Sequence, residues 1–248
     1  MTRVNPLTRL GVALLVAIVL VLSIDVVSGG VVLLATLALA PFAGVRMRTV
    51  LLRALPLAVG GLLAAITTAL YGVDSGATVL ALGPLTVTTG SLVLAAAVGI
   101  RVLAIGVPGV ILLAGIDATA LSDGLAQRLR LPARFVLGAL AAFRLAALLV
   151  SDWRDLALAR RARGVADRGR LARALGQGVA LLVLAVRRAT KLATAMEARG
   201  FGAPGRRTWA RTSHFGGADL ALTGVGVAVT GAAVVAAILL GAWRPFGG

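Results

Sequence analysis

Apolar residues in this chain fill long continuous runs instead of alternating with polar ones. Five such runs stand out: Leu10–Ile24 (extendable to Val27), Val31–Val45, Ala54–Val73, Ser91–Gly115 and Leu220–Trp243. A bilayer core needs about 20 mostly apolar residues in a helix. The pattern therefore predicts an all-α, multi-pass helical membrane protein with five spans. Arg3 and Arg9 before the first run, and the small residues of "VVSGG" after it, resemble a cleaved signal peptide. The second run follows at once, which favours a retained membrane hairpin.

Polar residues between the runs set the expected orientation. The amino terminus carries Arg3 and Arg9, and the second connection carries Arg46, Arg48 and Arg53. The first connection has Asp25 and no base, and the third has Asp74 and no base. Excess arginine marks the cytoplasmic side. The amino terminus is thus expected in the cytoplasm, and four crossings return the chain there.

Composition changes the picture at one place. The 248 residues are 59% hydrophobic yet carry a net charge of +16. Between Arg128 and Arg211, 18 basic residues face 4 acids, so +14 of that charge lies in one central block. The expected organisation is a membrane domain over residues 1–116, a basic cytoplasmic helical region over 117–216, and a final span with a short tail over 217–248. The chain has one lysine, Lys191, and 24 arginines. With the abundant Ala and Gly, this points to a GC-rich bacterial genome; as a multi-pass chain the protein is expected in the bacterial cytoplasmic membrane. Cysteine is absent, which excludes disulfides and thiolate metal sites.

Two apolar stretches inside the block, Phe135–Val150 and Ala174–Val186, also invite a spanning assignment. The second is too short and Arg144 interrupts the first. If Phe135–Val150 crossed, seven arginines from Arg154 to Arg173 would face outward. Both stretches are therefore expected in helices at or beneath the cytoplasmic membrane surface. Arg101 falls near the middle of the fourth run, where a lone charge costs at least about 2.5–3.5 kcal/mol. It is expected to face the protein interior or a partner, unless a connection divides that run.

The block contains a repeat. "LALARRARGV" (Leu156–Val165) and "LATAMEARGF" (Leu192–Phe201) share six residues in register, 36 positions apart. One helix is expected from Pro132, a proline tolerated in a first turn, to Arg163, with Gly164 as its stop. The other is expected from a point after Gly178 to Arg199, stopped by Gly200. Ala159, Ala162 and Arg163 share one face at i, i+3 and i+4, and Ala195, Ala198 and Arg199 repeat the pattern. Ala185, Ala189, Leu192, Ala193 and Met196 build an apolar contact face on the second helix. Alanines admit a close neighbour, and an arginine fork pairs bidentately with a carboxylate. Such ends suit docking into a partner. Arginine near a helix C-terminus also complements the helix dipole, which is the plainer explanation.

The chain resembles the transmembrane T component of energy-coupling factor transporters, the EcfT/CbiQ family. The resemblance rests on Ala162–Gly164, on "AMEARGF" at Ala195–Phe201, on "NPLTRL" at Asn5–Leu10, and on the order of spans, basic helical region and final span. It implies a non-catalytic scaffold and coupling subunit of an importer of the ATP-binding-cassette type. Ala162, Arg163 and Gly164, with Ala198, Arg199 and Gly200, would dock two ATPase subunits. A small membrane S component would bind a vitamin or a transition-metal ion. ATP and Mg would be bound by the ATPases, leaving this chain without a cofactor of its own.

Other chemistry finds little footing. A phosphate-binding Walker loop needs Gly-x-x-x-x-Gly-Lys, whereas Lys191 stands in "RATKLAT". Asp152 and Asp155 in "SDWRD" are expected as solvated helix charges. His214, the one histidine, is expected at the surface of a polar linker with no metal. Arg206 lies in the same linker. Binding of nucleic acid or anionic lipid through residues 128–211 is the alternative, since the charge would attract phosphate. No nucleic-acid motif accompanies it, so membrane lipid is the expected contact and nucleic acid is not.

Overall fold

A computed structural model describes residues 4–23, 25–42, 44, 47–72, 75–82, 85–164, 169–203 and 208–242. Arg3, Arg46, Asp74, Arg206, Trp243 and Arg244 lie outside them. Along the chain the described elements are α1 (Pro6–Val21), α2 (Val26–Leu39), α3 (Met47–Tyr71), β1 (Thr78–Leu82), β2 (Leu85–Thr88) and α4 (Thr89–Leu113). They continue with α5 (Ala118–Gln127), α6 (Ala133–Ala162), α7 (Arg170–Ala198) and α8 (Gly217–Leu239). The chain forms two compact units, one of residues 1–117 with 214–248 and one of residues 118–213.

In the first unit, local sequence sets most helix starts. Asn5 caps α1 by accepting the Leu7 N–H at 3.0 Å, with Pro6 in the first turn. Asp25 caps α2 through the Ser28 N–H. Thr88 and Ser91 form a reciprocal capping box on α4, at 3.0 and 3.2 Å. Asp219 in the first turn of α8 accepts from the Gly216 N–H, the Asn5 N–H and the Thr8 hydroxyl, at 2.8, 2.7 and 2.9 Å. This carboxylate is fully buried and ties the start of α8 to the start of α1.

Helices in lipid gain little from the hydrophobic effect between them, so close backbone approach matters. At the α3–α4 contact a Cβ on Gly61 would meet the Gly99 carbonyl at 3.2 Å, and one on Gly99 would meet Ala65 at 3.3 Å. A Cβ on Gly226 of α8 would collide with Val12 of α1 at 2.6 Å. Two apolar clusters complete the core: Val16, Leu20, Val32, Ala104 and Ala233, and Ala40, Val50, Val107 and Ile111. The leucines at 51, 52, 55, 62 and 63 on α3 stay exposed, as expected for a helix facing lipid.

Helix lengths depart from the expected spans. By length and composition, α3, α4, α6 and α8 are suited to cross a membrane. With 16 and 14 residues, α1 and α2 reach only about 24 and 21 Å against a ~30 Å core. Ser23, Asp25 and Ser28 mark the break between them: buried and hydrogen-bonded together, they close the turn and fix the start of α2. The 30-residue α6 is apolar enough to span despite Arg144. The antiparallel β1–β2 pair was not anticipated and occupies the third connection, pairing Leu80 with Val87 and Leu82 with Leu85.

In the second unit, α6 begins after Pro132 as expected. However, α7 begins at Arg170, well before Gly178. Gly176 and Gly178 do not break it, and the Gly176 carbonyl accepts from Arg160 of α6 at 2.9 Å. Gln127 at the end of α5 and Arg128 just after it hold the carbonyls of Arg211 and Ser213.

Candidate functional site

The two Ala-Arg-Gly segments end α6 and α7 in nearly the same backbone geometry. Arg163 and Arg199 are the cap residues, with φ, ψ of −89°, 4° and −91°, 11°. Gly164 and Gly200 follow at φ +68° and +75°, the left-handed region that only glycine enters without strain. The Gly164 N–H returns to the Arg161 carbonyl at 3.0 Å, and the Gly200 N–H to the Glu197 carbonyl at 2.9 Å. The Phe201 N–H reaches back to Met196 at 2.9 Å, completing a Schellman motif on α7. The matching residue on α6, Val165, lies outside the described residues.

This stop geometry is not peculiar to arginine, since α8 ends the same way at Leu240 and Gly241. The distinctive feature is what the two ends display. Ala162, Arg163 and Gly164 are exposed, as are Ala198, Arg199 and Gly200. Ala159 and Ala195, one turn earlier, are exposed as well. Among the described residues, neither Arg163 nor Arg199 makes a side-chain hydrogen bond or an ion pair.

The segments are held apart, not brought together. Arg188 of α7 grips both carboxylate oxygens of Asp152 of α6, one of them at 3.0 Å. Eight residues further along α6, Arg160 meets Gly176, twelve residues back along α7, so the helices run antiparallel. Asp152 and Arg188 are separated by 36 residues, the same interval as the repeat, so the crossing joins equivalent points of the two copies. Each cap arginine lies eleven residues beyond its side of the bridge, about 16 Å along the axis. An approximate two-fold axis at the bridge therefore relates two arginine-tipped ends that point in opposite directions.

Asp152 is accordingly not the solvated charge expected from sequence. Its side chain is 14% exposed and serves to hold α6 against α7, whereas Asp155 is exposed. Arg188 was not singled out from sequence, although an acid and a base at the repeat interval were the available signal. Ala185 and Leu192 on the expected contact face of α7 are half-buried, and Ala189 joins Ala185 in lining an apolar recess against α6.

Arg101 belongs to the first unit. Its Nε donates to the Leu20 carbonyl at the end of α1 at 2.7 Å, and a terminal nitrogen joins the same acceptor. Asp25 lies within its electrostatic reach. His214 is exposed, and its carbonyl accepts from the Asn5 side chain at 3.0 Å. Among the described residues no three His, Asp or Glu side chains converge to hold a metal.

The sequence model of the cobalt transport protein family CbiQ matches residues 1–209. The chain belongs to the CbiQ family. It is a transmembrane component of a transporter and an all-α multi-pass membrane protein. Members of this family work with ATPases and substrate-binding components. The matched region takes in α1 to α7 with both Ala-Arg-Gly ends and stops before α8. No curated protein matches the chain.

Proposed function

We propose that this CbiQ-family chain is the scaffold and coupling subunit of an energy-coupling factor importer in a bacterial cytoplasmic membrane. Its amino terminus and its basic region face the cytoplasm. The ends of α6 and α7 dock into two ATPase subunits, one through Ala162, Arg163 and Gly164, the other through Ala198, Arg199 and Gly200. ATP and Mg are bound by those subunits. A separate membrane S component binds the cargo, a vitamin or, in keeping with the family's description, a transition-metal ion.

One observation carries this reading. Two exposed arginines, without side-chain partners among the described residues, cap equivalent helix ends at equal distances from a pseudo-two-fold crossing. A symmetric pair of ATPases would offer the same groove twice, and this helix pair offers the same knob twice. Each exposed guanidinium can make a bidentate, charge-assisted contact with a carboxylate. Small residues at 159, 162, 195 and 198 leave room for the groove wall. Movement of the ATPases would act on both arms of α6–α7 and pass through that pair towards the S component.

Co-purification from a membrane co-expressing the chain, two candidate ATPases and an S component tests this reading. A stable four-chain assembly with ATP-dependent uptake is expected. The chain purified alone is expected to show no ATP hydrolysis. Uptake by the chain and S component without any ATPase would overturn the proposal.

A further inference from the structure

A cavity of about 340 Å³ lies within the first unit between α1, α2, α4 and α8. This is within the usual range for small-molecule sites, roughly 300–1,000 Å³. Its walls include Val12, Ile111, Leu112, Leu222 and Val225, and are almost wholly apolar. Two polar side chains reach it. Thr36 has its hydroxyl engaged with the Val32 carbonyl at 2.7 Å. The other is Arg9.

Arg9 is 6% exposed. One terminal nitrogen donates to the Ala114 carbonyl at 2.7 Å, and Nε is buried with no acceptor among the described residues. No described acid pairs with it. The buried carboxylate of Asp219 is already engaged by Asn5, Thr8 and Gly216. A buried guanidinium with no paired acid is costly, and an anion at the cavity would offset that cost.

We propose that this cavity holds an acyl chain of one anionic phospholipid whose phosphate is bound by Arg9. Phosphate oxygens match the guanidinium fork, and the apolar walls match a hydrocarbon tail. Basic pockets between membrane helices recognise anionic headgroups by this combination. Phe42, at the edge of the cavity, is 88% exposed and offers the tail a further apolar surface. The surrounding bilayer supplies the ligand in large excess over any free fatty acid.

The test uses the full chain exchanged into vesicles of phosphatidylcholine with a minor share of phosphatidylglycerol, then recovered in mild detergent. Lipid retained by the protein is counted by native mass spectrometry. The wild-type chain should retain phosphatidylglycerol in preference to phosphatidylcholine. Arg9→Gln should reduce that preference roughly tenfold or more, as loss of a charge-assisted contact implies. Val225→Trp fills the apolar part from a partly exposed position and leaves Arg9 intact, so it should lower retention of phosphatidylglycerol even if Arg9→Gln fails to accumulate. Equal retention of the two lipids by wild type, or retention unchanged by Val225→Trp, would overturn the proposal. Complete displacement by inorganic phosphate or oleate at equal concentration would overturn it too, because the site would then not require a phospholipid.

Discussion

Arg188 of α7 forks onto Asp152 of α6, and each of the two stands eleven residues before the cap arginine of its own helix. The bridge therefore fixes how far both ends extend. With side chains 36% and 14% exposed, the pair is screened and contributes only about 1 kcal/mol. Its role is to hold register more than to add stability. The chain has no cysteine, so spin labels can be placed cleanly at Ala162→Cys and Ala198→Cys. Their separation should form a narrow distribution near or below about 30 Å, ten residues of helix on either side of the bridge. Asp152→Asn should broaden that distribution while leaving helix content unchanged.

Arg101 answers a local need at the end of α1, whose Leu20 carbonyl has passed beyond the helix ladder. Arg101→Leu should destabilise the purified protein by about 1–3 kcal/mol, the cost of leaving a buried acceptor unpaired. A lowered thermal midpoint in detergent is the readout. Arg154→Leu, at an exposed position of α6, should leave the midpoint nearly unchanged.

Topology gives a prediction with opposite readouts at two sites. Ala77→Cys, exposed just before the β1–β2 pair, should be labelled by an impermeant thiol reagent added outside intact cells. Gly169→Cys, just before α7, should be labelled only after the cells are opened. External labelling at Gly169 would mean that α6 crosses the bilayer, as its length and composition permit. Both Ala-Arg-Gly ends would then need a new placement.

What could be read from the residues was local. Asn5 with Pro6, and Arg-Gly at two helix ends, announce a start and two stops because caps depend on neighbouring backbone alone. The α7 start was misjudged because Gly176 and Gly178 cost helix propensity, a weak preference that contact with α6 overrides. Asp152 looked solvated because its partner lies 36 residues away, and no periodic pattern reports an antiparallel crossing. The sequence placed Asp25 in a connection but began the second run at Val31, because no pattern announces that Asp25 caps α2 through the Ser28 N–H and starts that helix at Val26. The Gly-Pro at 83–84, between runs rich in Thr and Val, was the available sign of the strand pair.

The two cap arginines carry the proposed docking, and one measurement tests it directly. ATPase subunits are pulled down with the full chain carrying Arg163→Ala, Arg199→Ala or both, alongside the level of each variant in the membrane. Removing one partner of a buried interfacial charge pair costs roughly 2–5 kcal/mol, or about 30-fold or more in affinity. Each single variant should therefore insert normally and capture ATPase much more weakly, and the double variant should capture almost none. Full ATPase capture by both single variants would contradict the account and leave the two segments as helix stops.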